Sequence, residues 1–459
     1  MFSTILRRFM EKSPIPVIVQ VLLERVLSPQ KLDAWFEGTA VEQYTRELLF
    51  STVFELMNLV VFKTFPSVHA AYQGSGEAIG VSIASVYNKL NGLEASTSAA
   101  LVRDTASEKA GIMEALGAVR ESWLPGYRIK VLDGNCIEAT EHRLEVLRET
   151  KAGALAGKSL VVYDPALEMA IDVFPCEDGH AQERSLLGQV LPTVHALDVW
   201  FMDRNFCVRD FLCGIRSIAA QGAYFVCRQH QGLSFEALGS ERAAGHTETG
   251  KVYEQWVRVI DAEGKARNYR RIRVSLNKAT RDGETEIFIL TNLPKSVANA
   301  KLIAELYRRR WSIETMFQQL EGHLHSEINT LGYPKAALFG FCVALVAYNV
   351  LAVVKGALRT VHGDEPIDNE LSGYYLAGNI TRTYDGMMVA IEPEDWAVFH
   401  PMPLTQFAEV LVQLAANVKL AKFRKHPRGP KKPRPKRDKH PGQPHVSTAK
   451  LLAGKKPRR

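Results

Sequence analysis

Between Ala336 and Val354 the chain runs for 19 residues without one charged side chain. A helix that is apolar on every side must be enclosed, either by lipid or by the rest of its own protein. The run only just reaches the lower limit for crossing a bilayer, about 17 residues. It is interrupted by Gly340, Tyr348 and Asn349, and the sequence offers no second span of this kind. The expectation is a helix at the centre of a large domain, with no membrane partner. A chain of 459 residues with 46% hydrophobic content is long and apolar enough to surround it.

Upstream the texture changes twice. Up to about residue 115 apolar residues recur at helical spacing, over Val17–Leu27, Val41–Phe65 and Ile79–Leu93. The segment Gly80–Glu94 has small residues first and then Tyr87, Asn88 and Lys89. It reads either as a helix-turn-helix recognition helix or as a plain amphipathic helix of a bundle. From Tyr127 the periods shorten: YRIKVLD (127–133) is a strand ending on Asp133, and SLVVYD (159–164) and EMAIDVF (168–174) flank a D-P turn. A helix is expected over 181–195. LDVWFMD (197–203) then has the continuous apolar run of a central parallel strand, ending on Asp203. A helix over 208–221 and the strand AYFVCR (223–228) follow. VYEQWVRVI, RRIRVSL and EIFILTNL, between Gln229 and Pro294, read as further strands.

The stretch Tyr307–Glu321, YRRRWSIETMFQQLE, reads as one helix. Seven residues turn a helix through about 700°, so Tyr307, Glu314 and Glu321 fall in line, with Arg310 one turn before Glu314. Leu306, Ile313 and Leu320 form an apolar line beside it, joined by Leu302 and Phe317. By itself this could be a surface helix with an Arg–Glu pair at i,i+4. The pattern Y-x2-R-W-x-I-E-x2-F, however, resembles the signature helix of the prokaryotic insertion-sequence transposases of the D-D-E class. Within that class it resembles the Y-R-E-K group, insertion-sequence family four. The last letter departs, because Glu321 stands where that group has Lys.

The resemblance implies an α/β chain with a ribonuclease H-like catalytic core, since three strands, helix, strand, helix, strand is the order of that fold. It assigns residues 1–115 to a helical domain gripping DNA ends, 116–228 and 296–360 to the core, and 229–295 to a β-rich insertion. Residues 361–418 would be helical cover. It makes Asp133, Asp203 and Glu314 the catalytic, metal-binding triad. The chemistry is consistent: phosphoryl transfer on DNA needs an activated oxygen nucleophile and a stabilised leaving oxygen. Two Mg²⁺ ions about 3.5 to 4 Å apart on hard carboxylate oxygens supply both, with Mn²⁺ as a substitute. Tyr307 and Arg310 would hold the phosphate next to the scissile one, and the planar fork of Arg suits that task. Trp311 would stack on a base drawn out of the duplex, and Arg204 would touch the backbone. Asp198 is the nearest competitor of Asp203. The implied function is cutting at the element's terminal inverted repeats and joining the ends to target DNA, with a homodimer on double-stranded DNA. Two alternatives share the fold: a DNA-binding protein impaired in catalysis, for which Glu321 is the hint, and a nuclease without strand transfer.

Charge and cysteines bound the setting. From Lys419 to Arg459 there are 16 Lys and Arg against one acid, Asp438, while the first 418 residues hold 41 basic and 49 acidic side chains. A mildly negative body thus ends in a strongly positive arm, rich in proline and read as a disordered basic tail over 419–459. The six cysteines include no C-x2-C pair, which speaks against a zinc site or disulfide framework and for a reducing compartment. The expected location is cytoplasmic, at the prokaryotic nucleoid.

Overall fold

A computed structural model describes residues 2–43, 45, 47–75, 79–138, 144–148, 153–218, 222–426 and 445–454. The chain opens with helices α1 (Thr4–Lys12), α2 (Pro14–Leu27), α3 (Pro29–Thr39), α4 (Phe50–Val61), α5 (Val68–Gly74), α6 (Ile83–Gly92) and α7 (Ala95–Ala115). There follow β1 (Arg128–Ile137), α8 (Glu145–Arg148), β2 (Ala154–Leu155), β3 (Gly157–Asp164), β4 (Met169–Cys176), α9 (Leu187–Val190), β5 (Asp198–Met202), α10 (Arg209–Ser217) and β6 (Tyr224–Arg228). Next come β7 (Glu236–Thr247), β8 (Gly250–Ile260), β9 (Ala266–Leu276), β10 (Glu286–Thr291), α11 (Ala300–Arg309), α12 (Ser312–His323) and α13 (Pro334–His362). The last elements are α14 (Gly373–Ala390), α15 (Pro393–Ala397), α16 (Leu404–Ala416), β11 (Val446–Ser447) and α17 (Thr448–Gly454).

The apolar run is the middle of α13, and its residues 336–354 are all buried by the chain itself. Pro334 sits in the first turn, where its missing N–H costs nothing. The helix stops at Gly363, whose φ of 81° ends it while its N–H still reaches the Arg359 carbonyl at 2.8 Å. Asn349, the polar interruption, is fully buried and satisfied. Its side-chain amide donates to the Ala170 carbonyl at 2.7 Å and accepts from the Ala170 N–H at 2.9 Å. It thus closes the backbone of β4 as a neighbouring strand would, and fixes α13 against the sheet.

The mixed sheet has nine strands in the order β4-β3-β1-β5-β6-β10-β9-β8-β7. β1, β5 and β6 run parallel at its centre, and β3 and β4 are antiparallel on one side. All five residues of β5 are buried, as its unbroken apolar sequence requires. Alternation along β1 sends Val131 into a core shared with α13 and Leu132 into a second core under α9 and α10.

Several expectations are corrected. The strands of 229–295 are continuous with the central sheet: β10 pairs with β6, and β9, β8 and β7 extend the same sheet. β7 escaped the sequence reading because it is a mostly exposed edge strand without apolar alternation. The helices of 1–115 do not form a body of their own, since one continuous core runs from Leu6 to Phe423 around α13. Among the described residues of the expected helix 41–65 only Phe50–Val61 is helical, and the expected helix 181–195 is three short turns, Glu183–Leu186, Leu187–Val190 and Leu191–Thr193. In α6, Lys89 lies over the Phe36 ring at 4.6 Å rather than reaching outward, whereas Asn88 is exposed. Of the tail, 427–444 and 455–459 lie outside the described residues. Its remainder is ordered: Phe423 is buried, β11 pairs with β2, and the Ser447 hydroxyl donates to Asp178 at 2.7 Å.

Candidate active site

β1 and β5 keep parallel register from Arg128↔Asp198 to Leu132↔Met202. Asp133 and Asp203 come next, on adjacent chains about 4.8 Å apart in a sheet. There the two chains diverge. β1 does not end at Asp133 as expected but continues to Ile137 along β3, whereas Asp203 turns the chain into a short 3₁₀ helix, Arg204–Phe206. The Asp203 Oδ1 accepts the Asn205 N–H at 2.6 Å, a cap that points the carboxylate along the end of the strand. Asp198, the competitor, lies at the other end of β5. It is buried in a pair with Lys130 at 2.7 Å, whose amine also stands over the Trp200 ring. That pair is structural and does not join the site.

The signature stretch is two helices, not one. α11 ends at Arg309 and α12 begins at Ser312, and the turn between them is tightened, with Arg310 N–H bonding Tyr307 O at 3.2 Å and Ile313 N–H bonding Arg310 O at 3.2 Å. Ile313, Met316 and Leu320 bury the inner face of α12. The break turns Arg310 inward, to 10% side-chain exposure, and leaves Trp311 61% exposed. Arg310 then bridges two of the acids: Nη1 meets Asp133 Oδ2 at 2.7 Å and Nη2 meets Glu314 Oε1 at 3.1 Å. Asp203 and Tyr307 also act on this guanidinium. Burial opposes its charge, but Tyr307 and the three carboxylates together raise its pKa.

Burial also pushes the Asp133 carboxyl up to about 6, against the lowering pull of Arg310 and with a further push from Asp203. Burial likewise raises the Tyr307 phenol, which stays protonated and able to donate. Arg204 is tied up by Glu284 of the β9–β10 hairpin at 3.1 Å, and Glu284 also pairs with Arg228. It therefore links Asp203's turn to the extended sheet. Glu321 is exposed near the end of α12.

Sequence reasoning missed two neighbours. Glu183 lies so close over Gly134 that a Cβ there would stand 2.3 Å from its Oε1, and its other oxygen accepts from the Asn205 side chain at 3.2 Å. A fourth acid thus borders the site, and the glycine directly after Asp133 was the signal that something packs there. The buried Cys227 thiol donates to the Asp203 carbonyl at 3.3 Å, bracing the same turn from below.

The donor set suits a hard divalent cation, being carboxylate oxygens around one positive charge. Among the described residues no three metal-binding side chains converge on a single point. The Arg310 guanidinium lies between Asp133 and Glu314.

Residues 124–350 match the family described as Transposase DDE domain, a span that includes Asp133, Asp203 and Glu314. The InsL proteins for insertion sequence elements IS186A and IS186B of Escherichia coli (strain K12) are each 22% identical over 271 residues, covering 51% of this chain and 68% of theirs. The transposase for insertion sequence element IS421 of Escherichia coli is equally similar, over 67% of its length. A piggyBac transposase synaptic complex with hairpin DNA aligns over 83% of this chain and 82% of its own, at 8% identity and a TM-score of 0.35, too loosely for residues to be matched. Over residues 124–350 the chain thus matches the transposase DDE domain family, and over about half its length it is similar to insertion-sequence transposases.

Proposed function

We propose that the protein cuts DNA at the terminal inverted repeats of an insertion sequence and joins the freed ends to target DNA, acting as a homodimer with two Mg²⁺ ions. The observation that carries this reading is Arg310 bonded to both Asp133 and Glu314, with Asp203 on the adjacent chain directly after β5. The order β4-β3-β1-β5-β6, antiparallel on one side and parallel on the other, supports a ribonuclease H-like core.

Asp133, Asp203 and Glu314 would hold the metals, which when bound activate the attacking oxygen and stabilise the leaving one. Asp203 is oriented by its cap on Asn205, and that turn is braced by Cys227. Tyr307 offers a hydroxyl and Arg310 a planar fork for phosphate oxygens. Trp311, the most exposed aromatic at the site, presents a stacking face to a base. The test supplies duplexes with the element's own ends together with target DNA in Mg²⁺. Wild type should yield joined products, and Asp203→Ala should yield none while still binding the ends. Cut but never joined products from wild type would make the protein a nuclease, and cleavage by Asp203→Ala would remove Asp203 from the site.

A further inference from the structure

We infer that Arg310 holds the place of a divalent cation between Asp133 and Glu314 while no DNA is bound, and that its release couples metal binding to DNA binding. This rests on the metal-binding role proposed above for those acids. The guanidinium is bidentate, one nitrogen to each carboxylate, at 2.7 and 3.1 Å. It neutralises a cluster that would otherwise bring like charges together in a buried place. A dication entering between the same oxygens must displace it, because two cations there would repel each other at contact distance.

Displacement alone is unfavourable. A buried guanidinium that loses its carboxylates keeps the desolvation cost and none of the compensation. Its Nε already lacks a hydrogen-bond partner, so part of the guanidinium is unsatisfied even with both carboxylates in place. A DNA phosphate is such an acceptor, matching the fork in charge and geometry. Arg310 is also suited to move. It lies in the turn between α11 and α12 rather than inside a helix, and the Trp311 beside it is exposed. The metal would therefore bind weakly to the free protein and more tightly once a phosphate takes the guanidinium. By linkage, DNA should bind more tightly in metal by the same factor. Such coupling would keep the isolated protein from holding a loaded cleavage centre before it holds its substrate.

The experiment is Mn²⁺ binding to the full chain by titration calorimetry, without DNA and with a short element-end duplex, so that no turnover is read. For wild type the duplex should tighten Mn²⁺ binding at least tenfold. Arg310→Gln should bind Mn²⁺ at least tenfold more tightly than wild type without DNA and gain little from the duplex, while Arg310→Lys, which keeps a cation in place, stays near wild type. Should Arg310→Gln prove unfolded, the wild-type comparison with and without duplex still decides. Equal wild-type affinity in both conditions, or equal or weaker binding by a folded Arg310→Gln, overturns the inference. Adding Asp133→Asn to Arg310→Gln should abolish the gain. If it does not, the assignment of the metal to these acids fails instead.

Discussion

Asp133→Asn should leave the protein more stable and inactive. The Asp133 carboxyl is raised from the ordinary 3.8 to about 6 in the folded chain, chiefly by burial, so the fold prefers it neutral even with Arg310 beside it. A gap of roughly two units corresponds to about 3 kcal/mol between the neutral and ionised forms. The sign follows from proton counting. Below about 3.8 the carboxyl is protonated in both states and nothing is lost. Between 3.8 and 6 the native state holds the proton that the unfolded chain has released, so stability falls as pH rises. Above 6 the full penalty stands. An Asn keeps the shape and one acceptor without the charge, and Arg310 keeps Glu314. At pH 8 the variant should melt higher than wild type by up to about 3 °C, since about 1 kcal/mol shifts a chain of this length by roughly 1 °C. The difference should shrink when melting is repeated at pH 5 and vanish near pH 4, by calorimetry in metal-free buffer. A lower melting temperature at pH 8 would refute the reasoning, because the Asp133–Arg310 pair would then outweigh the burial of the carboxylate.

Two more expectations concern buried and exposed charge. Lys109 on α7 is fully buried, with the Thr105 carbonyl at 3.4 Å as its hydrogen-bond acceptor, and burial pushes its amine down to about 7. Folding at pH 7 or below carries a cost that fades as pH rises toward 10.5, where the unfolded chain also loses the proton. Lys109→Met should therefore flatten a rise in stability between pH 7 and 10 and stabilise at pH 7 by at most about 5 kcal/mol. Denaturation at the two pH values checks it, and an unchanged pH slope would sink it. Glu321→Lys places a cation in the last turn of α12, where the helix end favours it by about 0.3–1 kcal/mol. It should also tighten binding of element ends, read as a lower Kd by fluorescence anisotropy, and weaker binding would show that Glu321 has a role of its own.

Local periodicity carried much of this fold. The charge-free run read as an enclosed helix is α13, and β3, β4, β5 and β6 fall within two residues of their apolar runs. The i,i+4 relation of Arg310 and Glu314 survives the break between α11 and α12, because the tightened turn changes the helix path without changing their spacing. What failed was of two kinds. β7 and the turns of 183–193 lack a repeating apolar pattern, since an edge strand and short 3₁₀ turns each bury too little to impose one. The boundaries between bodies failed because composition marks a charged tail or a glycine cluster but not which apolar faces meet. The helices of 1–115 and those after 373 are amphipathic in the same way whether they pack on each other or on α13.

The sequence by itself determined the types of the elements, the acid that follows β5, and the pairing of an arginine with a glutamate one turn apart. All of these depend on residues within a few positions of one another. The tertiary structure decided that Arg310 reaches Asp133 across 177 positions of chain, that Glu183 packs on Gly134, and that the insertion joins the central sheet through β6 and β10. Each is a contact between remote segments, and the free energy that selects it comes from burying surfaces and charges together. No local pattern records that energy, because it belongs to the pair and not to either segment.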